Sequence, residues 1–182
     1  MPTVVVPFRG ENAKQRLAPL PEAARAALAK AMLADVLAAC ESVGRTLVAR
    51  EDGQGEAVEA ALRSIESGPI LIVNADLPCA RPRDLLALLG AMPERGLAIV
   101  EAADGTTNAL ALSSTHLFAP VYGPGSAERF RARAERLSAA FVSAEVPELA
   151  DDLDTLADLE RLEGRLGPHT AAALDGLRAA SR

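Results

Sequence analysis

The sequence predicts an α/β fold built on a largely parallel sheet. Two short apolar runs, Thr3-Val-Val-Val and Ile70-Leu-Ile-Val, show no polar alternation. Such runs read as strands buried on both faces, the usual state of strands inside a parallel sheet. Ala- and Leu-rich segments of helical character separate them, as helical crossovers between parallel strands require. Polar residues cluster directly after several apolar runs. In open α/β sheets, ligands bind beyond the carboxyl ends of strands.

The first strand is predicted over Thr3–Pro7. It runs into a polar loop, Phe8-Arg-Gly-Glu-Asn-Ala-Lys-Gln-Arg-Leu17, with cations at Arg9, Lys14 and Arg16. A strand, a basic Gly-containing loop and a helix together suit phosphate binding, although no GxxxxGK[ST] motif is present. A solvated surface loop is the alternative. Glu22 to Cys40 is predicted helical, with Leu28, Met32, Val36 and Cys40 forming one core-facing stripe. A weaker strand over Thr46–Ala49 leads to Gly53-Gln-Gly55, where a backbone can approach a ligand closely, and to a helix over Glu56–Ser64.

Gly68-Pro69 opens the central strand, and Asp76 stands just past its end, ahead of Pro78. Pro82 marks the first turn of the next helix, whose buried side is Leu85, Leu88 and Leu89. Strands are predicted over Leu97–Val100 and Ala109–Leu112, joined by a polar turn at Asp104–Asn108. Tyr122-Gly-Pro-Gly-Ser126 reads as a tight loop, with Ser126 as N-cap of a helix over Ala127–Leu137; its exposed N–H groups suit a phosphate or carboxylate, and the alternative is that the glycines only turn the chain and Ser126 only caps. A last strand is expected over Ala140–Val146.

Asp152 and Asp154 point to one side in an extended chain, and Thr155-x-x-Asp158 resembles a capping box for a helix over Leu156–Leu162. A solvated acidic face is one reading of this run. The other joins Asp152 and Asp154 to Asp76 around a divalent cation, which favours carboxylate and phosphate oxygens. The Ala-rich tail from Gly167 carries no evident signal.

Length and composition narrow the functional classes. A chain of 182 residues with 49% hydrophobic content suits a single domain spanning 1–182 with an ample core. A net charge of −6 argues against nucleic acid as a partner. Cys40 and Cys79 lack zinc spacing and form no disulfide framework, which fits a reducing cytoplasmic setting. No apolar segment has membrane-span length and no leader pattern is evident, so a cytoplasmic, unprocessed chain without membrane contact is expected. His116 and His169 stand apart from other candidate groups. Oligomeric state, monomer or homodimer, is left open.

Taken together, the loops resemble one family: the phosphoenolpyruvate and 2-phospho-L-lactate guanylyltransferases of deazaflavin coenzyme (F-420) biosynthesis. These sit in a wider group with the molybdenum-cofactor guanylyltransferases. The resemblance rests on Lys14-Gln-Arg-Leu17, Ala75-Asp-Leu-Pro78, Asp104-Gly-Thr-Thr-Asn108, Gly123-Pro-Gly-Ser126 and Asp152-Leu-Asp-Thr155, in that order over residues 1–163. It implies a three-layer α/β/α, Rossmann-like nucleotidyltransferase fold with a mostly parallel mixed sheet. It also implies transfer of GMP from GTP to a three-carbon phospho-acid, with magnesium as cofactor.

By the same resemblance, Asp76, Asp152 and Asp154 hold the metal, while Arg9, Lys14 and Arg16 neutralise the triphosphate. Thr106 or Thr107, Gly123 and Ser126 grip the phospho-acid, and Gly53, Gly55 and Asn108 line the nucleotide side. Three departures stand out. Asn74 replaces an acidic or small residue, Gly53-Gln-Gly-Glu56 replaces the usual nucleotide loop, and Thr46–Gly55 is short by roughly one strand–helix unit. A related transferase using another nucleotide or acceptor, and a nucleotide-binding homologue without turnover, are the alternative readings.

Overall fold

The computed structural model describes residues 1–8, 17, 20–50 and 53–180. Six strands form one sheet in the order β2-β1-β3-β5-β4-β6. They are β1 (Thr3–Pro7), β2 (Arg45–Ala49), β3 (Ile70–Val73), β4 (Gly96–Glu101), β5 (Thr107–Leu112) and β6 (Ala140–Ser143). β1 pairs parallel with β2 and β3, and β4 pairs parallel with β6. β5 lies antiparallel between β3 and β4. A short turn returns the chain from β4 to β5, with Gly105 at φ +80°, and a short turn can join only antiparallel neighbours. The mostly parallel mixed sheet is therefore as the sequence predicts.

Helices cover both faces, and strand alternation sorts the core. Val4, Val6, Leu71, Val73, Ala98 and Ala111 face one layer, with Val36 and Cys40 of α1 (Glu22–Glu41), Leu85 and Leu88 of α3 (Pro82–Ala91), and Leu149 of α5 (Pro147–Ala150). Val5, Ile70, Ile72, Leu97, Ile99 and Leu110 face the other, with Val58 of α2 (Gln54–Leu62) and Phe130 of α4 (Ser126–Arg136). Because α1 and α2 lie on opposite faces, the winding reverses between β1 and β3. Asp76 follows β3 at that reversal, where α/β sheets open a crevice.

A third cluster corrects the reading of α1. Leu28 and Met32 pack with Leu159 and Leu162 of α6 (Leu156–Leu162) and Leu174 of α7 (Pro168–Ala180), whereas Val36 and Cys40 pack on the sheet. A four-residue repeat drifts about 40° per step around a helix of 3.6 residues per turn, so the stripe passes from one neighbour to the other. The tail that carries no evident signal is thus a packed helix. Buried Asp35 of α1 accepts hydrogen bonds from His169 N (3.0 Å), Thr170 N (2.8 Å) and Thr170 Oγ1 (2.6 Å), satisfying the N-terminus of α7 from another helix.

Other boundaries shift. α2 begins at Gln54, two residues before the predicted start, and follows β2 after only four residues. β5 begins at Thr107, so Thr107 and Asn108 belong to a strand instead of a turn. β6 stops at Ser143, and α5 intervenes before the acidic run. No helix among the described residues is long and apolar enough to cross a membrane.

Candidate active site

Local chemistry brings the acidic residues together. The chain leaves β3 at Val73, and the Leu153 N–H donates to the Asp76 carbonyl (3.0 Å), clipping the 152–154 segment to the end of the central strand. Leu153 itself is fully buried with Leu17 and Cys79, which leaves Asp152 and Asp154 on the opposite side of the extended segment. The result is a convergence of Asp76, Asp152 and Asp154, with one carboxylate oxygen of each within 4.8 Å of the others. Burial, then the charges of Asp76 and Asp154, push the Asp152 carboxyl above the usual aspartate range.

That arrangement fits a divalent cation. Three hard oxygen donors, half-buried and mutually repelling, are the donor set that such an ion neutralises. The flanks hold the segment in place. Asn108 donates to the Ala150 carbonyl (3.1 Å) and to Asp152 Oδ1 (3.5 Å). Asp158 accepts from the Thr155 N–H (2.8 Å), completing the capping box read from the sequence. Asp151 pairs with Arg161 and with Arg165 (2.5 Å). Burial opposes ionisation of Asp151, but the two guanidinium groups outweigh it and hold its carboxyl below the usual range. Asp151 and Asp158 are therefore structural.

A cavity of about 490 Å³ opens beside the carboxylates. Asp76, Asp152 and Asp154 line it together with Gln54, Gly55, Asn74, Thr106, Thr107, Tyr122 and Gly123. Gly55 is required by proximity: a methyl group there would lie 2.7 Å from Pro120 Cβ, so the start of α2 could not reach the cavity. Gly53 takes φ +85° as N-cap of α2, behind the cavity wall. Asn74 accepts from Gln54 Nε2 (2.7 Å) and donates to the Thr107 carbonyl (3.2 Å), which links the start of α2 to β5.

Several expected roles look different in three dimensions. Ser126 is not an N-cap. Gly125 occupies that position at φ +69°, and Ser126 is the first residue of α4, fully buried. Its hydroxyl donates to Thr107 Oγ1 (3.0 Å), so it backs a cavity residue from behind. The N–H groups expected to be free there are in part occupied: Ser126 N donates to the Gly123 carbonyl (3.0 Å) and Ala127 N to Gly105 (3.4 Å). Thr106 is turned onto Asp104, donating from both N (3.0 Å) and Oγ1 (2.6 Å). Asn108 lines the cavity, but its amide is committed to the acidic segment. His116 does not line the cavity; it pairs with Ser114 (2.7 Å) on the exposed surface. Arg9, Lys14 and Arg16 lie outside the described residues; Leu17 is buried in the cluster that holds Leu153.

Sequence reasoning passes over Gln54, Asp104, Tyr122 and Arg129. Gln54 is legible as the residue between two glycines. Tyr122 packs on Phe118 and Phe130, and burial pushes its phenol upward. Nothing in the sequence marks the role of Arg129, because its contacts are to backbone carbonyls.

Solved structures share this architecture. A protein of Desulfovibrio desulfuricans G20 described as a nucleotide-diphospho-sugar transferase superposes with TM-score 0.75 at 15% identity, over 98% of this chain and 96% of that one. The 2-C-methyl-D-erythritol 4-phosphate cytidylyltransferase of Thermus thermophilus gives TM-score 0.59 at 15% identity, over 88% and 96%. At these identities the likeness is one of fold: a nucleotidyltransferase architecture, with the carboxylates at its crevice.

No family model matches the chain. Curated relatives do. The phosphoenolpyruvate guanylyltransferase of Geodermatophilus obscurus is 33% identical over 206 residues, 96% of this chain and 94% of the relative. The 3-phospho-D-glycerate guanylyltransferase of Phenylobacterium zucineum is 33% identical over 93% of each chain. The chain belongs to the guanylyltransferase family that these enzymes represent.

Proposed function

We propose that the chain transfers GMP from GTP to the phosphate of a three-carbon phospho-acid and releases pyrophosphate, with magnesium at the carboxylates. The observation that carries this is the convergence of Asp76, Asp152 and Asp154 on the cavity that also holds Thr107 and Gly123. Relatives named for phosphoenolpyruvate and for 3-phospho-D-glycerate support an acceptor of this class. The proposed setting is the cytoplasm, within deazaflavin coenzyme assembly, with the whole chain acting as one domain.

The acceptor phosphate is anionic near neutral pH, so no side-chain nucleophile is required. One of its oxygens forms a bond to the α-phosphorus of GTP, and the bond from that phosphorus to the bridging oxygen breaks. Pyrophosphate departs with the electron pair, and nothing is oxidised or reduced. Magnesium bound at the site would screen the two polyanions and stabilise charge on the attacking and leaving oxygens. Asp76, Asp152 and Asp154 hold that charge in place and supply its orientation. Thr107 Oγ1, backed by Ser126, and the Gly123 backbone meet the acceptor. Gln54, Gly55 and Asn74 form the nucleotide-side wall. Arg9, Lys14 and Arg16 neutralise the triphosphate in this reading.

The test is a pyrophosphate-release assay with magnesium, each nucleoside triphosphate, and a panel of phosphoenolpyruvate, 2-phospho-L-lactate and 3-phospho-D-glycerate. The expected result is release with GTP and at least one phospho-acid. Release only with CTP or only with a sugar phosphate would overturn the assignment, as would no release with any pair.

A further inference from the structure

We propose that Arg129, which does not line the cavity, is a positioning residue that shapes the 121–125 loop into an anion-binding nest for the acceptor. The inference rests on the reaction proposed above. Arg129 sits on the first turns of α4, and its guanidinium gathers the carbonyls of four successive residues. Nε donates to Val121 O (3.1 Å), and Nη1 to Pro124 O (2.6 Å). Nη2 reaches Val121 O (2.9 Å), Tyr122 O (3.1 Å) and Gly123 O (3.4 Å).

The consequence follows from peptide planarity. In a trans peptide the N–H points opposite to the C=O. Carbonyls drawn to Arg129 from Val121, Tyr122 and Pro124 therefore turn the N–H groups of Tyr122, Gly123 and Gly125 the other way. Tyr122, Gly123 and Pro124 line the cavity, whereas Arg129 and Gly125 do not, so the turned N–H groups of Tyr122 and Gly123 are the ones on the cavity side, and that of Gly125 leaves the loop away from Arg129 without lining it. Among the described residues, none of these three N–H groups donates to a backbone carbonyl in the turns and loops. Gly123 at φ +100° supplies the left-handed backbone that the successive N–H groups of Tyr122 and Gly123 need, Pro124 has no N–H to offer, and Gly125 at φ +69° adds one beyond it.

A guanidinium is suited to this task. It offers five N–H groups in a fixed plane, enough for carbonyls arranged in an arc, whereas an ammonium presents its donors from one point. Charge on Arg129 also lies behind the loop, where it favours an anion in front of it.

The experiment compares the full chain with R129K and R129Q. Thermal melts establish that each variant is folded. Pyrophosphate release gives KM for the acceptor and for GTP. In parallel, amide resonances of Gly123 and Gly125 are followed by NMR during titration with phosphoenolpyruvate and with inorganic phosphate as probe. The acceptor KM is expected to rise about tenfold or more in R129Q and less in R129K, with the GTP KM within about twofold, the pattern of a lost anion contact. The Gly123 and Gly125 amides should shift in the wild type and respond weakly in both variants. Equal rises in both KM values, wild-type amide responses in the variants, or unresponsive amides in the wild type would each overturn the role. Absence of wild-type turnover with every phospho-acid would overturn the reaction instead, and the amide titration would still decide the loop.

Discussion

Replacing Asp152 by Asn removes one charge from the carboxylate cluster while keeping its size and its oxygen toward Asn108. The three ligand oxygens lie within 4.8 Å of one another. At 4.8 Å, two unit charges repel by about 0.9 kcal/mol in a water-like medium and about 3.5 kcal/mol at an effective dielectric of ~20. The site is half-buried and open to water, so the lower part of that range applies to each of the two repulsions, from Asp76 and from Asp154, that the substitution removes. D152N should then stabilise the metal-free protein by about 1–3 kcal/mol, or roughly 3–9 °C for a domain of this size. The gain should shrink in high salt, where exposed repulsion is screened. The same substitution should erase the rise in melting temperature that magnesium confers on the wild type, about 2.7 kcal/mol at a hundredfold excess over Kd. Pyrophosphate release should fall by two orders of magnitude or more, about the loss from removing one preorganised charge contact. Differential scanning fluorimetry in chelator and in magnesium, beside the turnover assay, reads all three. A D152N protein that melts at or below wild type in chelator and keeps the full magnesium shift would refute the repulsion and the metal assignment together.

Asp35→Ala should lower stability by about 2–4 kcal/mol, because it leaves two backbone N–H groups and the Thr170 hydroxyl unpaired at the start of α7; urea unfolding measures it. Asp35→Asn should lose less, since it keeps an acceptor oxygen. Ser126→Ala is expected to raise the acceptor KM by about threefold to tenfold, with little effect on GTP, because Thr107 Oγ1 loses its backing; equal changes in both constants would count against that. Asp151, held below the usual range, binds its proton more weakly when folded than when unfolded. Its contribution is therefore complete above about pH 4 and is lost as pH falls through its depressed folded value. Arg165→Gln should flatten that acid limb in a series of melts from pH 6 to pH 2.5.

Much of the fold is open to sequence reasoning because its signals are local. Ile70–Val73 needs only its own composition to read as a doubly buried strand, and Thr155 with Asp158 needs only a spacing to read as a capping box. Ser126 reads as a cap because a serine before a helix ordinarily caps it, and only the left-handed Gly125 moves the cap back one residue. The stripe on α1 reads as one face because periodicity does not say how many neighbours a helix has. Here the sheet lies on one side and α6 and α7 on the other.

Taken alone, the amino-acid order determined most of the strands and helices, that acidic groups end up beside a strand terminus, and which enzyme family the loops resemble. The tertiary structure decided which acids meet. Asp151 and Asp158 are as acidic as their neighbours, yet guanidinium and capping contacts occupy them, while Asp152 and Asp154 reach Asp76 across the chain. The physical reason is range. Backbone propensity acts over a few residues, whereas the single bond from Leu153 to Asp76 and the burial of Leu153 join segments that only a folded sheet brings within a hydrogen bond of each other.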